Sequence, residues 1–254
     1  MCYTVTYLTK RKVKYAKRAG ADEEEVKELE RQLEELIAGQ PSMYHVSGFA
    51  HPRLLCFSRK EVPHFELLRW GLIPAWVKDS TQAVTLGRQT LNARGETIFS
   101  KPAFRQAAHH RCLVLVDGFF EFFHFGKRTY PYHIRLRDDE VMALGGIRST
   151  WNDPSTGQPV DTVSIVTTSA NPLMARIHNN PQAEGPRMPF IVPRELDALW
   201  LAENTAPEQI TPLIGPYDET LLEAFTVPPL LGKQASPNTE AALQNYDYPE
   251  LALL

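Results

Sequence analysis

The sequence predicts an α+β fold, mostly β: a single domain with a β-barrel-like core of short antiparallel strands and peripheral helices. Three observations carry this. Short runs rich in β-branched and aromatic residues recur from residue 43 onward, punctuated by Gly, Pro and Asp/Asn clusters. Helical periodicity is confined to a few stretches. A chain of 254 residues, 43% apolar and 10% aromatic, is long and apolar enough to bury a sizeable core.

The elements follow in order. Cys2 to Leu8 alternates β-branched and aromatic residues and predicts a strand that holds the start of the chain inside the fold. Residues 10–39 read as an inserted helical element. There Asp22 and Glu25 form a capping box, Val26, Leu29, Leu33 and Leu36-Ile37 make one apolar stripe, and Gly39 with Pro41 ends it. Strands are expected at 53–57, 65–71, 112–116, 119–125, 132–136, 141–147, 162–167 and 189–192. Helices are expected at 101–110, after Asn171-Pro172, and from Pro193 to Leu201, the last two started by Pro at the first helical position. One domain spans 1–230, and 231–254 is an irregular tail lying over it or hanging free.

Composition narrows the function. No run approaches the ~20 apolar residues of a membrane span, and Lys10-Arg11-Lys12 interrupts any signal-peptide core. Three cysteines without metal-ligand spacing suit a reducing, cytoplasmic compartment, and no metal or other cofactor is expected. The net charge of −3 is unevenly spread. Residues 37–111 hold 10 basic and 4 acidic residues, whereas 112–254 hold 9 and 18. The basic third can offer a local phosphate-binding surface.

The chemistry begins at Met1-Cys2. Removal of Met1 would leave an α-amine and a thiol on adjacent carbons, the pair that closes a five-membered thiazolidine on an aldehyde. Trp70-Gly71-Leu72-Ile73-Pro74-Ala75-Trp76 is a turn flanked by two candidate nucleic-acid contacts, Trp70 and, better placed beyond the turn, Trp76. Asn92-Ala93-Arg94-Gly95-Glu96-Thr97 supplies an amide and a guanidinium fork, and Lys101, Arg105 and Arg111 extend a positive strip. Asp117-Gly118-Phe119-Phe120-Glu121-Phe122-Phe123 sets a carboxylate among phenylalanines. If its strand face is buried, the Glu121 pKa rises into the range of a proton shuttle. His178-Asn179, ahead of Arg187-Met188-Pro189, follows a short helical turn.

These motifs, in this order, together with Arg111-Cys112-Leu113, resemble the SOS-response-associated peptidase family over nearly all of residues 1–230. The resemblance implies a β-rich fold of the family's own type and a covalent crosslink to abasic sites in single-stranded DNA. The family's catalytic Cys, Asn, Glu and His fall on Cys2, Asn92, Glu121 and His178. Its phosphate-contacting arginine falls on Arg94 and its base-stacking Trp on Trp76, with Lys101 and Arg105 expected to position the backbone. The chain departs from the family at Tyr3-Thr4, where Gly-Arg is usual, at His45, and at Val77, where some members carry a second Trp. Residues 10–39 and 180–186 are additions. A protein of this kind is expected to be a cytoplasmic monomer whose partner is abasic single-stranded DNA, with possible self-removal of Met1 and lyase activity. A cysteine peptidase using Cys2 and His178, and a non-covalent single-strand binder, are the rival readings.

Overall fold

The computed structural model describes residues 2–59, 62–203, 205–232 and 235–251. In chain order the strands and helices among them are β1 (Thr4–Tyr7), α1 (Lys12–Ala19), α2 (Glu23–Leu36), β2 (Met43–Ser47), β3 (Arg53–Arg59), β4 (Pro63–Trp70), α3 (Ser80–Gln89) and β5 (Asn92–Arg94). There follow β6 (Arg111–Val116), β7 (Gly118–Phe125), β8 (Arg128–Leu136), β9 (Met142–Asn152), β10 (Pro159–Ser169), α4 (Pro172–Ile177), β11 (Arg187–Pro189), α5 (Asp197–Leu201), α6 (Pro207–Ile210) and β12 (Leu222–Thr226).

Five of these strands close a barrel. β4 pairs with β3, β3 with β6, β6 with β9 and β9 with β10, all antiparallel. The ring is completed by β10 and β4, which run parallel through Thr162–Arg69 and Val163–Trp70. The barrel is therefore antiparallel except at one seam. A second, antiparallel sheet in the order β12-β8-β7-β1-β2 packs on it. Val5, Phe119 and Ile134 of that sheet meet Val114, Val116, Met142 and Leu144 of the barrel in one apolar cluster, and Cys2 lies within it.

The 10–39 insertion is a helical hairpin, not one helix. The chain breaks at Gly20 and restarts where the Asp22 side chain accepts from Glu25 N, the cap the sequence announced, while Glu25 reaches past the cap residue to accept from Ala21 N. Leu29, Leu33 and Ile37 are buried with Tyr15, Leu55, Phe57 and Phe65. Three local expectations are corrected. Residues 101–110 form successive turns, closed by Arg105 N on Lys101 O and Ala108 N on Phe104 O, with only a short 3-10 segment, Ala107–His109. The strand expected at 189–192 is Arg187–Pro189, paired with β10, and Ile191 makes only an isolated bridge to Leu144. The helix α3 is unannounced in sequence since Thr81, Val84, Thr85 and Gly87 are weak formers, yet Asp79 caps it by accepting from Thr81 N and Gln82 N.

The described part of the tail lies over the second sheet. Val227, Leu230 and Ala242 pack on Phe120, Tyr246 N donates to Thr226 O at 2.9 Å, and Asn238 Oδ1 accepts from His45 N.

Candidate functional site

The start of the described chain is held inside the protein. β1 has a neighbour on each side in its sheet, paired through Thr4–Phe120 and Val5–Phe119 on one side and Thr4–Ser47 and Val5–Val46 on the other. Gly48 N donates to Tyr3 O at 2.8 Å, and Cys2 is fully buried. From the barrel side, β5 lies parallel to β10, with Asn92 opposite Ile165. That register aims the Asn92 amide at the chain start, where Nδ2 donates to the Cys2 carbonyl at 2.8 Å. A carbonyl only accepts, so the amide's orientation is fixed by this bond. Asn92 Oδ1 is then buried without a hydrogen-bond partner. Buried acceptors are rarely left that way without a reason. Met1 lies outside the described residues.

Glu121 lies on β7, one step beyond Phe120 and so opposite Tyr3 in the β1–β7 register. It is buried, and burial raises its pKa. The positive charge at the chain's amino terminus and the Phe122 N–H, which donates to Oε1 at 3.1 Å, act in the opposite sense. The carboxylate also acts on its neighbours. It is among the causes that raise the Cys2 thiol and the Tyr3 phenol, each led by burial. The β1–β7 register sets Glu121 across from Tyr3, the residue after Cys2.

His178 ends α4, which packs on the strand that carries Glu121. Asn171 caps that helix by accepting from Met174 N, Pro172 starts it, and His178 ends it with its own N–H bonded to Met174 O. Arg187 N donates to His178 Nδ1 at 2.9 Å. The neutral ring therefore carries its proton on Nε2, which makes it a donor. Burial first, and then nearby positive charge at the amino terminus, His124 and Arg187, lower its pKa to about 4. The imidazole is neutral at cellular pH.

Two residues lock this segment in place, and their roles were not legible in the sequence. Asn179 Oδ1 accepts from His124 N at 2.7 Å and its Nδ2 donates to His124 O at 2.9 Å. This reciprocal clamp fastens the residue after His178 to the strand that carries Glu121. Arg187 donates twice to Glu96 and also to Thr167 O. Two sequence motifs thus bind each other beside the site, so Glu96 and Arg187 hold the scaffold.

The residues expected to meet DNA divide. Arg94, two positions beyond Asn92, is exposed and ion-paired at 2.6 Å with Glu184 of the 180–186 insertion. Lys101 and Arg105 are exposed, and Trp76 is 43% exposed, its Nε1 donating to Pro102 O at 3.4 Å. Trp70 is corrected. It is 0% exposed and donates to Leu91 O, so it is a core residue with no face for a nucleic acid. Arg111 leaves the positive strip for the same reason: it is buried and donates to the carbonyls of Ala108, Trp200 and Ala202.

The thiol itself is not poised as a thiolate. Burial, then Glu121, pushes Cys2 up to about 12, and its sulfur points to the Thr4 carbonyl at 3.9 Å. Cysteine nucleophiles that act as thiolates need the reverse shift. Among the described residues no group of three or more His, Cys, Asp or Glu is placed to hold a metal ion, and no helix is long and apolar enough to cross a membrane.

Comparison with known proteins follows this geometry. The model of the SOS response associated peptidase family matches residues 1–234. Abasic site processing protein YoqW of Bacillus subtilis is 36% identical over 176 residues, covering 68% of this chain and 73% of that one. Abasic site processing protein HMCES of Gallus gallus is 30% identical over 145 residues, 49% of this chain and 41% of its own. A crystal structure of a Bacteroides thetaiotaomicron protein superimposes with a TM-score of 0.81 at 31% identity, covering 96% of this chain and 100% of that one.

Proposed function

The chain belongs to the SOS response associated peptidase family, and on that premise we propose that it binds abasic sites in single-stranded DNA and joins them covalently through Cys2. Its relatives are named for processing abasic sites. The observation that carries the reading is the burial of Cys2 against Asn92, beside a buried acid of raised pKa and a neutral imidazole donor.

With Met1 removed, the free α-amine of Cys2 supplies the donor that the unpartnered Asn92 Oδ1 requires. Glu121, its pKa raised by burial, shuttles a proton to the ring oxygen of the abasic sugar and takes one from its anomeric hydroxyl, which opens the aldehyde. The amine adds to that carbon, one amine proton passing to the oxygen, and the resulting hydroxyl, hydrogen-bonded by the His178 Nε2–H, leaves as water with the second proton of the nitrogen. The Cys2 thiol then adds across the imine: sulfur bonds to carbon, and the thiol proton ends on nitrogen. The net reaction joins aldehyde, amine and thiol into a thiazolidine with loss of one water. Positioning does most of the work, since well-aligned reactants reach effective molarities of ~10⁵–10⁸ M. A protonated thiol suits this order, in which the amine attacks first. It argues against a cysteine peptidase that opens with a thiolate. Strand cleavage by β-elimination from the imine is an extension of the same chemistry, whereas release of Met1 is a separate hydrolysis of the Met1–Cys2 peptide bond that must come first. Arg94, Lys101, Arg105 and Trp76 hold the strand by phosphate and base contacts that carry little sequence information.

A denaturing gel tests this. Wild-type protein incubated with an abasic single-stranded oligonucleotide should give a retarded band stable to heat, whereas Cys2→Ala gives none and Cys2→Ser gives at most a labile imine. Absence of the wild-type band from a chain shown to lack Met1 overturns the reading.

A further inference from the structure

The turn between β2 and β3 does something the residues above do not. β2 runs antiparallel to β1, so its C-terminal end arrives beside Cys2 and Tyr3, and Gly48–Ala50 makes a 3-10 turn there. Phe49 sits on that turn, 55% exposed, with its ring centroid 5.1 Å from that of Tyr3 and the planes tilted by 32°. An apolar ring this open is unremarkable alone. Its support is not. The Phe49 N–H donates to Ser47 Oγ, His51 N donates to Gly48 O at 2.9 Å, and His51 holds a left-handed φ of 51°. The His51 ring is in turn fixed on the Trp70 carbonyl at 2.8 Å. Gly48 rests on the Trp70 indole so closely that a Cβ there would stand 3.1 Å from it. Trp70, the buried aromatic, is thus the base on which the exposed one is mounted.

We propose that Phe49, backed by Tyr3, is a stacking platform for a nucleobase adjacent to the abasic site. The inference rests on the covalent reading above. Tyr3 follows the reactive residue and stands across from Glu121 in the β1–β7 register, so it borders the place where a baseless sugar is bound. The base next to such a sugar has lost one stacking neighbour. Phe49, stacked beside Tyr3, offers a replacement π-face. The family's usual arginine, two residues after Cys, is here Thr4, buried in β1, so this flank of the site lacks that cation and presents aromatic surface instead. Base–aromatic stacking is sequence-tolerant, which suits lesions that arise at any sequence.

The experiment measures equilibrium binding by fluorescence anisotropy to single strands bearing a central tetrahydrofuran residue, an abasic analogue that lacks the anomeric hydroxyl. One strand has bases on both sides of it, and a second has neighbours that are also base-free. Phe49→Ala should bind the first strand about 5- to 100-fold more weakly than wild type, the range for losing one stacked base. On the second strand the two proteins should bind alike, and Phe49→Trp should restore the difference. Equal binding of wild type and Phe49→Ala to the first strand, or the same loss on both strands, overturns the proposal. Unchanged thermal unfolding shows that the variant is folded. Covalent capture of a true abasic strand by wild type, assayed in parallel, separates failure of the platform from failure of the chemistry.

Discussion

Asn179 gives the sharpest test of how the site is assembled. Its side chain makes two hydrogen bonds to the backbone of His124, one as acceptor at 2.7 Å and one as donor at 2.9 Å. The pair ties the His178 segment directly to the end of β7. Hydrogen bonds at exposed positions contribute at the lower end of about 0.5–1.5 kcal/mol each, so Asn179→Ala should cost the local structure about 1–2 kcal/mol. Global stability should move little, because α4 remains packed through Met174 and Ile177. The rate should move more. A misplacement of about 1 Å in a catalytic group can cost ~10²-fold, so a loosened His178 should slow covalent capture roughly 10- to 100-fold. Asn179→Asp keeps the acceptor for His124 N and loses the donor to His124 O, so its rate should fall between the two. Single-turnover capture of an abasic strand, read from quenched time points on a denaturing gel, measures each rate. Wild-type rates in Asn179→Ala would show that the clamp does not position His178, and the assembly argued from it would fail.

Other outcomes follow from individual groups. His133 is buried, and desolvation first, then Arg135, lowers it to about 3. The unfolded chain takes up that proton near pH 6.5 and the folded chain does not, so stability is lost as pH falls from about 6.5 towards 3. The loss is about 5 kcal/mol at most, and urea unfolding at stepped pH should show a slope that His133→Gln flattens. Glu184→Gln frees Arg94 from its ion pair, so binding to single-stranded DNA should tighten and its log–log salt slope steepen by about 0.7 if one phosphate contact is gained. Trp70→Ala should lower stability by about 3–5 kcal/mol, as for other large-to-small core changes. Trp76→Ala, at a site 43% exposed, should leave thermal unfolding unchanged and weaken strand binding.

Much of this was legible in the sequence where local pattern and burial agree. The β-rich opening put Cys2 inside the fold, and the phenylalanines around Glu121 announced a buried carboxylate of raised pKa, since such flanks seldom face water. The cap at Asp22 marked a helix start because its bond is local. What depends on distant partners was hidden. Arg111 looked like part of a basic strip, and only the fold shows it buried on the carbonyls around α5. Trp70 and Trp76 flank one turn symmetrically in sequence, yet register sends one into the barrel wall and leaves the other outside. The parallel β4–β10 seam joins residues about ninety positions apart and leaves no local trace. Asn179 reads as half of a His-Asx pair, and its bond partner His124 is 55 residues away.

The central claim is that a processed chain end captures the lesion with both its amine and its thiol. Mass spectrometry of the protein–DNA product after nuclease and protease digestion tests it most directly. The account predicts one adduct, on the N-terminal peptide beginning at Cys2, with the mass of the sugar remnant less one water and with no free thiol at Cys2. An adduct on any lysine, or capture by a chain that still carries Met1, would contradict it.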